Sequence, residues 1–100
     1  MKESEYQSKL KKRLQQDFPD AIIQKLDSGV KQGVPDLLIL NGNKWAALEV
    51  KRTQKSTHRP NQDYYVKRMN EMSYASFVYP ENEEEVVDEL KKVFKKRKRK

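Results

Sequence analysis

The sequence predicts an α/β domain in the order α-β-β-β-α-β-α. Three observations carry that order. Tyr6, Leu10 and Leu14 recur at helical spacing near the start. Two apolar runs, 37–40 and 45–50, flank Asn41-Gly42-Asn43, and Asn-Gly between such runs signals a hairpin. Pro60 and the acidic run that begins at Glu81 each open a further helical stretch, with the strand-like segment 73–79 between them.

The first helix spans Ser4 to about Gln16, with Ser4 as its cap and Phe18-Pro19 as its end. Glu5 stands one residue from the Tyr6 stripe; it either turns inward or favours the helix N-terminus through the dipole. Lys9, Lys11, Lys12 and Arg13 fill the other side, which reads as solvated surface or as a track for a phosphate backbone; Lys12 and Arg13 are thus candidate nucleic-acid contacts. Ala21 to Leu26 is a first strand at the sheet edge, and 27–33 a loop with two glycines where Lys31 is a candidate phosphate contact. After the hairpin, the polar and basic stretch 52–59 offers Arg52, Lys55 and Arg59 as contacts to nucleic acid. His58, the single histidine, reads as an exposed loop residue, a phosphate contact or a proton carrier. Pro60 fits the first turn of a helix reaching about Glu71. Its Tyr64, Tyr65, Met69 and Met72 read as a stripe packed on the sheet, with base stacking by Tyr64 or Tyr65 as the alternative. Pro80 stops the last strand; in the last helix Val86, Val87, Leu90, Val93 and Phe94 face the protein, with glutamates at its positive end and lysines at its negative end.

The hairpin brings chemistry together. Alternate residues of a strand share a face, so Glu49 and Lys51 point the same way. With Gly42-Asn43 as the loop, Asp36 lies opposite Glu49; with Asn41-Gly42, it lies diagonal to it on the same face. A one-residue slip without a bulge would send Asp36 to the far face. Two carboxylates at close range repel, and a divalent cation resolves the conflict. Hard ions such as Mg2+ take one or two carboxylates plus water and phosphate oxygens, and the Val50 carbonyl is a further candidate ligand. Lys51 would then contact phosphate or the attacking water. The competing reading makes Asp36 a strand start and Glu-x-Lys an exposed pair, but charges in so apolar a hairpin need a partner or a purpose.

Composition bounds the rest. One hundred residues with 35% hydrophobic and 37% charged make a single domain with a modest core. Without cysteine there is no disulfide or thiolate metal site, and the expected setting is the cytoplasm. No apolar run reaches membrane-spanning length. The net charge is +7, of which the final six residues, 95–100, carry +6. The expected organisation is therefore a domain over 1–94 and a basic tail over 95–100, which either binds nucleic acid through counterion release or is a solvated end.

Pro35-Asp36 followed by Glu49-Val50-Lys51 resembles the PD-(D/E)XK nuclease superfamily. With Glu5, Ser28-Gly29, Gly33-Val34-Pro35-Asp36-Leu37, Arg52 and Pro60-Asn61-Gln62 in that order, the chain resembles the VRR-NUC (virus-type replication-repair nuclease) domain in its stand-alone phage-type form, from about Glu5 to Leu90. The resemblance implies a restriction-endonuclease-like core with a central mixed sheet flanked by helices. It implies that Asp36 and Glu49 bind Mg2+ or Mn2+, that Lys51 is catalytic, and that Glu5 and Gln62 join the site. The expected activity is a metal-dependent DNA endonuclease. With little room for a base-reading module, the expected substrate is branched or distorted DNA such as a Holliday junction, cut by a homodimer in the cytoplasm, that of a bacterial host cell if the chain is phage-encoded. The rivals are a homing-type or restriction-like endonuclease with a defined target sequence, and a non-catalytic nucleic-acid-binding module.

Overall fold

The computed structural model describes residues 1–27, 29 and 32–95. Its elements are α1 (Glu3–Asp17), β1 (Ile22–Lys25), β2 (Leu37–Asn41), β3 (Lys44–Val50), α2 (Pro60–Met72), β4 (Tyr74–Val78), a 3-10 turn (Pro80–Asn82) and α3 (Glu83–Val93). The predicted order holds. The four strands form one sheet in the order β1-β2-β3-β4. The first two pairings are antiparallel and β3–β4 is parallel, so the sheet is mixed. A parallel pair cannot be closed by a tight turn and needs a crossover, here α2.

Strand alternation divides the side chains between two layers. Ile23, Leu37, Ile39, Ala46, Leu48, Val50 and Val78 join Tyr6, Leu10 and Leu14 of α1 and Val86, Val87 and Leu90 of α3 in the main core. On the other face Ala47 and Ala75 pack with Val66 of α2, with Trp45, Met69 and Phe77 alongside. Arg13 ties the two helices of the first layer together. Its guanidinium donates to Glu83 Oε2 at 2.7 Å and to Glu84 Oε1 at 2.9 Å, and Tyr6 Oη donates to Glu83 Oε1 at 2.8 Å.

The β2–β3 register decides between the two possible loops. Asn41 pairs with Lys44 and Leu37 with Leu48, so Gly42 and Asn43 form the turn. Gly42 has φ +65° while no non-glycine residue among those described has positive φ, the type II′ pattern that places glycine first.

Several local expectations are corrected. Lys2, not Ser4, precedes the first helix, and no side chain caps it. Strand β1 is two residues shorter than 21–26. Tyr64 and Met72 do not pack on the sheet; both are exposed, because only Val66 of α2 is buried and its stripe falls on Ala47 and Ala75. No helix among the described residues is long and apolar enough to cross a membrane. Ser28, Lys31 and residues 96–100, on which a motif, a candidate contact and most of the basic tail rest, lie outside the described residues.

Candidate functional site

Asp36 immediately precedes β2, and continuation of the register sets it opposite Glu49. The backbone fixes how close the pair stands. The Asp36 carbonyl accepts from Leu26 N–H at 2.7 Å, on the β1 side. Val50 N–H turns toward β2, where it donates to Asp36 Oδ2 at 2.8 Å. Asp36 and Glu49 are thus a non-hydrogen-bonded pair, the kind whose side chains approach most closely. Within an extended strand the N–H and C=O of one residue point to the same side, so the Val50 carbonyl also faces Asp36.

Glu49 and Lys51 are the only charged residues buried among those described, at 3% and 7% exposure. Lys51 Nζ donates to Gln62 Oε1 at 2.8 Å and stands 3.9 Å from Glu49 Oε2. Gln62 Nε2 donates to Glu49 Oε2 at 3.3 Å, while its Oε1 also accepts the Arg59 N–H at 3.0 Å. One side chain therefore closes the first turn of α2 and links the lysine to the carboxylate. Burial, the Asp36 charge and a hydrogen bond shared with Asp36 push the Glu49 carboxyl up to about 8, against the pull of Lys51.

These groups floor an open cavity of about 720 Å³ lined also by Lys2, Glu3, Arg52, Ser56, Thr57 and Arg59. A smaller one, about 240 Å³, shares Asp36, Glu49, Arg59 and Gln62 with it and is lined also by Gly29, Gly33 and Asn61. Gly33 makes this second wall possible. At its φ of +92° an added Cβ would stand 2.7 Å from Asn61 Cγ and 2.9 Å from the Asn61 backbone carbon. Gly33→Ala is expected to cost roughly 1–3 kcal/mol and to lower Tm by about 4–8 °C per kcal/mol, as read by thermal denaturation; an unchanged Tm would mean the loop yields freely.

The donor set can be tested against a metal. Among the described residues no group of three or more His, Cys, Asp or Glu is arranged to hold an ion. The pair plus the Val50 carbonyl supplies oxygen only, which suits a hard cation that keeps water and phosphate in its remaining positions. The strain on Glu49 is what a cation between the carboxylates would relieve. The residues present fit Mg2+ or Mn2+.

Not every expected residue reaches this place. Glu5 is exposed and lines neither cavity; Glu3 faces the larger one instead. Arg13 is committed to Glu83, Glu84 and Asp17, and so acts as a tie within the fold rather than a free phosphate contact. Lys12 lines a separate surface hollow with Ser8, Lys11 and Gln15. Lys55 is exposed in a loop knotted by Thr53 and Ser56, and does not line the cavity. Arg52 and Arg59 do line it. His58 stacks on Phe77 with ring centroids 3.9 Å apart and meets Asp63 Oδ1 at 3.1 Å, pinning the 52–59 loop beside Glu49, whose neighbour on β4 is Phe77. Lys2 and Glu3 were not foreseen as lining residues, whereas Ser56 and Thr57 fall in the 52–59 stretch expected to guide nucleic acid.

Among the solved structures similar to the chain are two that carry a VRR-NUC description. One, described as a "VRR_NUC domain protein", aligns with a TM-score of 0.70 at 21% identity over 93% of this chain and 90% of its own. Another, described as a "VRR_NUC domain", aligns with a TM-score of 0.62 at 21% identity over 81% and 92%. Neither a family model nor a curated protein matches the sequence. With the mixed sheet, the helix order and these alignments in agreement, the chain has the fold of the VRR-NUC domain, a restriction-endonuclease-like core.

Proposed function

We propose that this chain is a divalent-metal-dependent nuclease that hydrolyses DNA phosphodiester bonds. The observation that supports it best is the buried Glu49 and Lys51 facing Asp36 and Gln62 on the floor of an open cavity. A fold built only for stability would gain by replacing two facing carboxylates with apolar residues.

Asp36, Glu49 and the Val50 carbonyl would hold Mg2+ or Mn2+, which supplies Lewis acidity that acidifies water and offsets charge on the phosphate. The protein's own groups do the rest. Lys51, held by Gln62, places a positive charge where the phosphoryl group gains negative charge. Gln62 keeps Glu49 and Lys51 in fixed relation, so little reorganisation is needed when the substrate arrives. Arg52, Arg59 and Lys2 on the cavity rim bind flanking phosphates, and Ser56 and Thr57 offer hydroxyl donors there.

Among the described residues every helix and strand serves the sheet and its two layers, leaving no projecting element to read base edges. Recognition then falls on backbone and shape, which favours branched DNA such as a Holliday junction, and a homodimer would present two such sites to it. A panel of junction, flap, duplex and single-stranded DNA tests this, with and without Mg2+ or Mn2+. Junction cutting that needs metal and is lost in Asp36→Ala is expected. If wild type leaves every substrate intact in both metals, the proposal is wrong.

A further inference from the structure

Helix α2 has two faces of different chemistry. Val66 and Met69 lie against the sheet. The opposite side carries Tyr64, Lys67 and Arg68 at i, i+3 and i+4, a single exposed stripe. Tyr64 is 58% exposed and is the one aromatic among the large exposed hydrophobic residues described. Its ring is nevertheless held, edge to face with Tyr65 at 5.1 Å and 80°.

The stripe is continuous with the site. Asn61, one turn before Tyr64, lines the smaller cavity with Glu49, Arg59 and Gln62. A strand passing out of that cavity beyond Asn61 meets Tyr64 on the next turn and Lys67 and Arg68 on the one after. At 1.5 Å per residue, Asn61 to Arg68 covers about 10 Å, the length of about three stacked nucleotides at 3.4 Å each.

We propose that the outer face of α2 is a binding site for unpaired DNA, with Tyr64 as the platform for an exposed base and Lys67 and Arg68 as contacts to the phosphates beside it. The inference rests on the nuclease reading and narrows it to substrates with unpaired nucleotides next to the bond that is cut. The chemistry selects this ligand. A base inside a duplex has both faces covered by its neighbours, whereas an unpaired base offers a free π-face to an aromatic ring. Cations one turn along the helix gain by displacing counterions from the same strand. Asp63 and Glu71, the acids of this side, stand 3.1 Å from His58 and 3.6 Å from Arg68; the Arg68–Glu71 pair is solvent-exposed at both ends and so weak that a phosphate displaces it. Among the described residues Lys67 has no ion-pair partner. A second copy of the chain is the other occupant an exposed aromatic suggests. An interface core that is depleted of charge argues against it, because Lys67 and Arg68 flank the ring.

Fluorescence anisotropy in EDTA, where nothing is cut, tests the proposal. Wild type, Tyr64→Phe and Tyr64→Ala are titrated into a blunt duplex and into the same duplex with an unpaired arm containing 2-aminopurine. Wild type should prefer the armed DNA and quench the probe. Tyr64→Ala should lose about 5- to 150-fold in affinity for the armed DNA, with blunt-duplex affinity unchanged, and Tyr64→Phe should retain both binding and quenching. An exposed position leaves folding little affected, and matching Tm values for the two variants check that. The proposal is overturned if Tyr64→Ala binds both DNAs as wild type does, or weakens on both equally. It is also overturned if sedimentation shows that the substitution dissociates a dimer, which would assign the ring to a second copy. Cleavage in Mn2+ is scored separately. Wild type that cuts while Tyr64→Ala binds normally removes this inference alone; wild type that holds arms through Tyr64 and cuts nothing removes the nuclease reading alone.

Discussion

Lys51→Ala is expected to lower DNA cleavage by about 10²–10³-fold, the usual effect of removing one preorganised charge-stabilising donor, while DNA binding in metal-free buffer stays near wild type. The ammonium sits at 7% exposure between Gln62 Oε1 and the Glu49 carboxylate. Its charge is therefore desolvated, aimed and already in place before substrate arrives, the conditions under which a charge counts most. On the proposed reading, phosphate grip would come largely from the exposed rim arginines, so binding is expected to survive its loss. Lys51→Arg is expected not to rescue the rate, because a planar guanidinium with a longer reach does not fit a slot shaped for a compact ammonium. A second readout separates this role from a merely structural one. Lys51 lowers the Glu49 pKa, so the alanine variant should move the pH dependence of Mn2+ binding upward. Cleavage at the wild-type rate in Lys51→Ala, with the fold intact by circular dichroism, would remove the residue from the chemistry.

Much of this site was legible because strand geometry is simple. Glu49 and Lys51 share a face by period two, and an even-numbered loop keeps Asp36 with them, whichever two residues form the turn. Gly42 settled the choice, since of the turn residues 41–43 it is the one with the positive φ that the first turn position requires. The first helix shows how a correct element yields a wrong residue. Successive helical positions turn by 100°, so Glu5 beside Tyr6 points away, whereas Glu3 precedes Tyr6 by three and falls in the Tyr6, Leu10, Leu14 stripe. Extending that stripe backward by one turn would have found it. Arg13 and His58 had no such signal. Their partners, Glu83 and Glu84 in one case and Phe77 in the other, are distant in sequence, and only the packing of α1 on α3 and of the 52–59 loop on β4 brings them together. The exposure of Tyr64 was hidden for a related reason: two adjacent tyrosines fit a helical stripe equally well until the helix is known to turn Val66 and Met69 onto Ala47 and Ala75.

In metal-free buffer the folded chain is expected to lose stability as pH rises from about 4.5 to about 8, and Glu49→Gln is expected to abolish that loss. Burial first, then the charge and hydrogen bond of Asp36, raise the Glu49 carboxyl from 4.5 to about 8 in the folded chain. Between those values the native state holds a proton that the unfolded state has released. Stability then falls with pH, by up to about 1.4 kcal/mol per unit for one proton, and levels off above the folded value. Glutamine keeps an oxygen to accept from Gln62 Nε2 and has nothing to titrate. Glu49→Gln and wild type should therefore match near pH 5 and diverge toward pH 8.5, the variant being more stable by a few kcal/mol and inactive in cleavage. Carboxylates away from the site shift both curves alike, so the difference between the two reports the coupled Asp36–Glu49 pair. Urea denaturation across this range measures it; parallel curves would show that the pair carries no strain. Mn2+ completes the argument, because an ion that binds only the folded, deprotonated pair adds RT ln(1 + [L]/Kd) to stability. It should raise the wild-type Tm at pH 8.5 far more than at pH 6, where a proton must leave first, and leave Glu49→Gln nearly unmoved.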